Sequence, residues 1–112
     1  MTPREQAQLR ILKIVSEEPG ISQRQLAERL GVSLGKTNYL LRALLEKGLI
    51  KADNFRRNDH KLGYVYVLTA EGIKTKLKLA GDYLARKEAE YIALKLEIEA
   101  MRSELAQQDV QS

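Results

Sequence analysis

At 112 residues the chain holds one domain, or one domain with an extended helix. Its 44% apolar content supports a modest core, and one Phe with no Trp leaves that core to Leu, Ile, Val and Ala. The absence of cysteine excludes disulfides and thiolate metal sites, and a single histidine, His60, argues against zinc, which needs several His or Cys ligands. No run of about 18 apolar residues exists to span a membrane, and MTPREQAQ lacks the apolar centre of a signal peptide. A cytoplasmic location is therefore expected. The net charge is +4 and it is not spread evenly: residues 1–31 carry +1, residues 32–61 carry +4 (seven basic, three acidic), residues 62–72 carry −1 and residues 73–112 carry 0. Positive charge concentrated in one stretch suits a polyanion, because neutralising phosphates releases condensed counterions.

The predicted elements fall in a clear order. Residues 2–17 form a first helix, with Thr2 as cap, Pro3 at its first position and Glu5 completing a Thr-x-x-Glu capping box. Leu9, Leu12 and Val15 share a face, with Ile11 and Ile14 beside them, and Pro19-Gly20 ends the helix. Ser22 caps a second helix, Gln25 completes its capping box, and Leu26, Ala27 and Leu30 point inward. Gly31 is the expected left-handed terminus. Ser33 caps a third helix that Gly48 closes. Its inward face is Thr37, Leu41 and Leu44, with Leu40 and Leu45 partly exposed, a spacing of four, three and four. Gly35 lowers helix propensity in the first turn by about 1 kcal/mol relative to Ala. It either lets a backbone approach closely from outside or is simply tolerated where the helix frays.

After Gly48 the periodicity changes. Leu49–Phe55 and Gly63–Leu68 read as two strands, the second rich in β-branched and aromatic residues, with the basic run RRNDHKLG between them. Thr69 then caps a fourth helix with no proline and only Gly72 and Gly81 as glycines. From Ile73 to Ala106 it would span roughly 50 Å at about 1.5 Å per residue. A heptad fits it: Leu77, Leu84, Tyr91, Ile98 and Leu105 at a, and Ala80, Lys87, Leu94 and Met101 at d, with only Lys87 out of character. Glu90 and Glu97 at g stand opposite Lys95 and Arg102 at e in a parallel pair, which favours that orientation. Ile92 and Leu96 lie off the seam, so the helix is apolar beyond a simple two-stranded pattern. The expected division is residues 1–72 as one domain, 73–106 as a dimerisation helix contributing Leu77, Leu84, Tyr91, Leu94, Ile98, Met101 and Leu105, and 107–112 as a flexible tail.

Helix, helix, helix, hairpin is the order of a winged helix-turn-helix, giving a mainly α fold with a small β-hairpin and a long C-terminal helix. The helix-turn-helix itself is SQRQLAERLGVSLGKTNYLLRALLEKGLI, Ser22 to Ile50. The turn glycine sets the angle, the small Ala27 lets the helices cross closely, and the leucines hold the second helix so that its other face projects. On that face Ser33, Lys36 and the first-turn amides suit phosphates. Asn38 and Arg42 suit the edges of adenine and guanine, and Tyr39 suits a phosphate or a thymine methyl. Gln23 and Arg24 would touch the DNA backbone. Arg56, Arg57 and Lys61 on the wing suit backbone or minor-groove contacts, and His60 reads as a solvated wing residue.

LAERLGVSLGKTNYLLRALLEKGLIKA (26–52) followed by KLGYVYVLTAEGI (61–73) resembles the MarR-type winged-helix transcriptional regulators. SLGKTNYLLRALLEKG and NFRRNDHKLGYVYVLTAEGI look closest to their short, exopolysaccharide-associated bacterial branch. The resemblance covers about residues 6–100 and is specific over 22–74. It implies a bacterial, dimeric regulator with its recognition helix at 33–47 and a wing around Arg56–Lys61, and it implies control of exopolysaccharide genes. Typical members are longer and carry an extra N-terminal helix in the dimer interface. This chain begins too late for it, so dimerisation is expected to rest on the C-terminal helix. The usual Asp-x-Arg of the wing is only approximated by Asp53-Asn54-Phe55-Arg56-Arg57.

The expectation is a cytoplasmic, nucleoid-associated homodimer that reads an inverted repeat in double-stranded DNA, without cofactor or metal and with no effector assigned. The rival is a winged-helix protein-interaction or scaffold module without specific DNA binding. The placement of charge on the third helix and wing disfavours it. An enzyme is not expected, since no nucleophile–base pair, metal-ligand set or phosphate loop occurs.

Overall fold

The computed structural model describes residues 1–56 and 62–111. Its elements are α1 (Pro3–Glu17), α2 (Gln23–Leu30), α3 (Leu34–Glu46), β1 (Ile50–Arg56), β2 (Leu62–Leu68) and α4 (Ala70–Gln111). The chain divides into two compact units, Met1–Ala80 and Gly81–Ser112.

The first unit is built from local signals. Both expected capping boxes form. Thr2 Oγ1 accepts from the Glu5 amide at 3.1 Å while Glu5 Oε1 accepts from the Thr2 amide at 3.1 Å, and Ser22 and Gln25 make the same exchange at 3.2 and 3.0 Å. Each satisfies two backbone donors that a helix start otherwise leaves orphaned. Gly31 ends α2 at φ 69°, ψ 32°, the left-handed conformation that an L side chain resists.

β1 and β2 pair antiparallel with Ile50 opposite Leu68 and Ala52 opposite Tyr66. The segment before α2 adds to this hairpin. The Tyr66 amide donates to the Ile21 carbonyl and the Gly20 amide to the Tyr66 carbonyl, both at 3.1 Å. This stitches the turn after α1 to the wing sheet. Burial of Tyr66, with a lesser contribution from Tyr64, pushes its phenol above its ordinary pKa.

The core joins Ile11, Leu12, Ile14 and Val15 of α1, Leu26 and Leu30 of α2, Leu41 and Leu44 of α3, and Leu49, Ile50 and Tyr66 around the hairpin. Leu79 of α4 completes it. That residue was expected neither on the heptad seam nor in the core. Lys76 Nζ also donates to Ser16 Oγ at 2.9 Å, tying α4 to α1.

In the second unit the helix runs on without interruption, and residues 81–109 are all exposed in the single chain. It continues to Gln111 and does not end at Ala106, so residues 107–111 of the expected tail are helical. Gln107 and Gln108 are good helix formers and no glycine or proline follows Gly81 to stop the helix. The strands also shift slightly from expectation: β1 starts at Ile50 and reaches Arg56, and β2 gains Leu62.

Candidate nucleic-acid interface

α3 is held at both ends and along one face. At its start, Ser33 Oγ accepts from the Lys36 amide at 3.1 Å and the Thr37 hydroxyl donates to the Ser33 carbonyl at 2.8 Å, so Thr37 is fully buried with its hydroxyl satisfied by its own helix. Gln23 Nε2 donates to the Leu34 carbonyl at 3.2 Å, a direct strut from α2 to the first turn of α3. The amides of Gly31 and Val32 both donate to the Ala27 carbonyl, at 2.9 and 3.2 Å, which fixes the turn between the two helices. Arg10 of α1 reaches across to the α2 C-terminus, donating to the carbonyls of Arg29 and Leu30 at 3.1 and 3.4 Å. A cation there satisfies orphan carbonyls and complements the helix dipole. Arg29 in turn pairs with Glu18.

With Thr37, Leu41 and Leu44 buried, the opposite face of α3 is open. At 3.6 residues per turn, Gly35, Tyr39, Arg42 and Glu46 form one line along it. Lys36 and Asn38 flank that line. Ser33, Lys36, Asn38, Tyr39 and Arg42 are all exposed, Tyr39 at 66%. The structure thus brings together the five residues expected on this surface. Arg24, at the start of α2, is exposed, whereas Gln23 is half-buried and committed to α3 through its amide. Arg56 ends β1. Arg57, His60 and Lys61 lie outside the described residues.

Two features of this face were not expected. Leu34 is 46% exposed in the first turn, an apolar side chain beside Lys36. Glu46, also exposed, closes the outward line. A carboxylate there opposes a polyanion and leaves the cationic, N-terminal two-thirds of the helix as the part suited to one. Glu46 could have been found from the helical spacing alone, since it stands four residues past Arg42.

On α4 the expected dimerisation residues are exposed in the single chain: Leu77, Leu84, Tyr91, Leu94, Ile98, Met101 and Leu105. Tyr91, Leu94 and Ile98 share one side of the helix with Lys95, Glu99 and Arg102. Off the seam, Ile92 and Leu96 are exposed as well. Lys87, the charged residue within the seam, is held by Glu90 at 3.1 Å and lies 5.2 Å from the Tyr83 ring centroid. Its pKa is raised, chiefly by the hydrogen bond to Glu90. Glu90 is correspondingly lowered by Lys87, with Arg86 a further contributor at 3.4 Å. Because Glu90 is engaged within its own helix, its expected pairing with Lys95 of a second helix has a competitor, and Glu97 with Arg102 becomes the stronger argument for parallel pairing.

Residues 4–51 match the family model for winged helix-turn-helix DNA-binding domains. A curated relative, the HTH-type transcriptional regulator LrpA of Pyrococcus horikoshii, is 36% identical over 66 residues, which is 59% of this chain and 46% of that protein. The chain therefore spans about half the length of the curated relative it matches. Among solved structures, the PcaV transcriptional regulator of Streptomyces coelicolor, determined with its natural ligand, superposes with a TM-score of 0.63 at 26% identity, over 83% of this chain and 62% of that one. MarR of Escherichia coli gives 0.59 at 23% identity, over 65% and 53%. A PadR-like regulator of Bacillus cereus gives 0.71 at 19% identity, over 79% and 90%. The fold is a winged helix-turn-helix, and the structural neighbours include MarR-family regulators.

Proposed function

We propose that this chain, a winged helix-turn-helix protein sharing its fold with MarR-family regulators, is a homodimeric transcriptional regulator that reads an inverted repeat in double-stranded DNA. The observation that carries the reading is the two-faced α3. Thr37, Leu41 and Leu44 bury one side, and Lys36, Asn38, Tyr39 and Arg42 stand exposed on the other. In the major groove Asn38 would read adenine and Arg42 guanine by paired hydrogen bonds, with Tyr39 on a phosphate or thymine methyl. Ser33, Lys36 and Arg24 would fix the helix on phosphates, and Gln23 would act mainly by bracing α3. The half-exposed Leu34 is a second apolar group for a thymine methyl. Arg56, Arg57 and Lys61 would extend the contact along the wing.

One such helix reads few base pairs, so selectivity requires two. Pairing α4 of two chains along Leu84, Tyr91, Leu94, Ile98, Met101 and Leu105 covers apolar side chains that are otherwise open to water, and two recognition helices on successive major grooves of an inverted repeat would stand about 34 Å apart. Occupancy near a promoter would then obstruct or recruit polymerase. The resemblance of residues 33–48 and 54–73 to the exopolysaccharide-associated branch makes exopolysaccharide promoters the first to examine.

The test is selection from a random duplex pool followed by footprinting. A recovered inverted repeat with protected half-sites one helical turn apart supports the reading. Recovery of no duplex sequence, together with salt-insensitive binding of a protein partner, would transfer the assignment to a protein-interaction module.

A further inference from the structure

We propose that Gly35 is a clearance position: its missing side chain lets the first turn of α3 seat against DNA, and its glycine serves that approach and not the fold. This rests on the DNA-reading surface assigned above. The case comes from comparing the helical glycines. Gly72 has an internal reason to be glycine, because a Cβ built there would overlap the Leu49 carbonyl. Gly35 has none. A Cβ at Gly35 meets only Ser33 Oγ, at 4.0 Å. Nor does its backbone require glycine, since the positive-φ glycines among the described residues are Gly20, Gly31 and Gly48. A residue with open space around it and ordinary helical backbone would favour helix formation better as alanine.

Its position supplies the reason. Gly35 opens the outward line that continues through Tyr39 and Arg42, one turn ahead of the exposed Tyr39 and adjacent to Lys36. It is the point of that line nearest the helix start, where Ser33 caps the helix on the Lys36 amide and both side chains are exposed. A methyl group at this point would stand between α3 and whatever Lys36 and Tyr39 contact. Local departures from the best helix former concentrate at functional positions. Gly81 is equally open but belongs to the neutral stretch of α4 and not to α3, which makes it an internal control.

The experiment uses the full chain and a duplex of about 30 base pairs, long enough for two half-sites, selected from a random pool by the wild-type protein. Gly35→Ala and Gly35→Leu are measured for thermal midpoint and for duplex affinity, with Gly81→Ala alongside. Gly35→Ala is expected to raise Tm by about 4 °C, as Gly81→Ala does, yet to weaken duplex binding about tenfold, with Gly35→Leu weaker still and Gly81→Ala unchanged. Duplex affinity of Gly35→Ala equal to wild type overturns the proposal, as does a fall in its Tm, which would show that the fold needs glycine here. If the wild-type protein enriches no duplex at all, the DNA-reading assignment fails first, and the two failures are thereby distinct.

Discussion

Thr69 Oγ1 donates to the carbonyl oxygen of Gly48 at 2.6 Å and accepts from the Gly72 amide at 3.0 Å. The same hydroxyl thus closes the end of α3 and caps the start of α4. The Thr69 amide adds a bond to the Leu49 carbonyl at 3.1 Å, and Gly72 lies so close to that carbonyl that a Cβ would overlap it. The end of α3 and the start of α4 are therefore joined through four residues, Gly48, Leu49, Thr69 and Gly72.

Gly72→Ala should destabilise the first unit by about 1–3 kcal/mol, since the colliding atom is backbone and cannot rotate away. Gly81→Ala, with nothing within 4 Å of its Cβ, should stabilise by up to about 1 kcal/mol. Denaturant titration of the two variants checks the opposite signs. Equal effects would mean that the close approach at Leu49 is not a constraint.

Thr69→Val keeps the shape of the side chain and removes the hydroxyl. The Gly48 carbonyl and Gly72 amide lose their partner, and a loss of about 1–2 kcal/mol is expected. Hydrogen exchange should show the opening confined at first to the start of α4 and the end of α3. Uniform opening throughout the unit would argue against a local clasp.

Much of this architecture is legible in the residues themselves, and the boundary of legibility has a physical cause. Both capping boxes, the left-handed Gly31 and the buried Thr37, Leu41 and Leu44 depend on neighbours within a few positions, so spacing reveals them. Arg10 on the α2 terminus, Lys76 on Ser16, Leu79 in the core and the Gly72 contact depend on residues brought together only by folding. Spacing along a single helix carries no trace of them. The outward face of α3 was readable because it is the complement of a periodic apolar face. Its acidic end at Glu46 obeys the same periodicity.

The Thr2–Glu5 box predicts a pH effect. Hydrogen bonds from Thr2 hold the Glu5 carboxyl below its ordinary pKa. A lowered folded pKa contributes stability that is present above the unfolded value, about 4.3, and is lost as pH falls through the folded one. Glu5→Gln should therefore reduce the acid dependence of stability relative to wild type while leaving the neutral-pH fold intact. Superimposable acid limbs for the two proteins would refute this linkage.

Pairing through α4 should be sensitive to charge in the seam. Ile98→Asp places a carboxylate between Leu94 and Met101 at a position exposed in the single chain, so the chain should fold but sediment as a monomer. Lys87→Leu removes the charge from the seam and should strengthen association. A dimer that survives Ile98→Asp at low concentration would place the interface elsewhere.

The central claim, that α3 reads DNA, is tested most directly by the salt dependence of affinity for the selected duplex, measured for wild type and for the combined Lys36→Ala, Asn38→Ala and Arg42→Ala variant. Wild-type affinity should fall steeply as salt rises, each neutralised phosphate contributing a slope of about −0.9 in log–log form. The triple variant should lose its preference for the selected sequence over unrelated duplex, with a shallower slope. A triple variant that keeps both the preference and the slope would contradict the account.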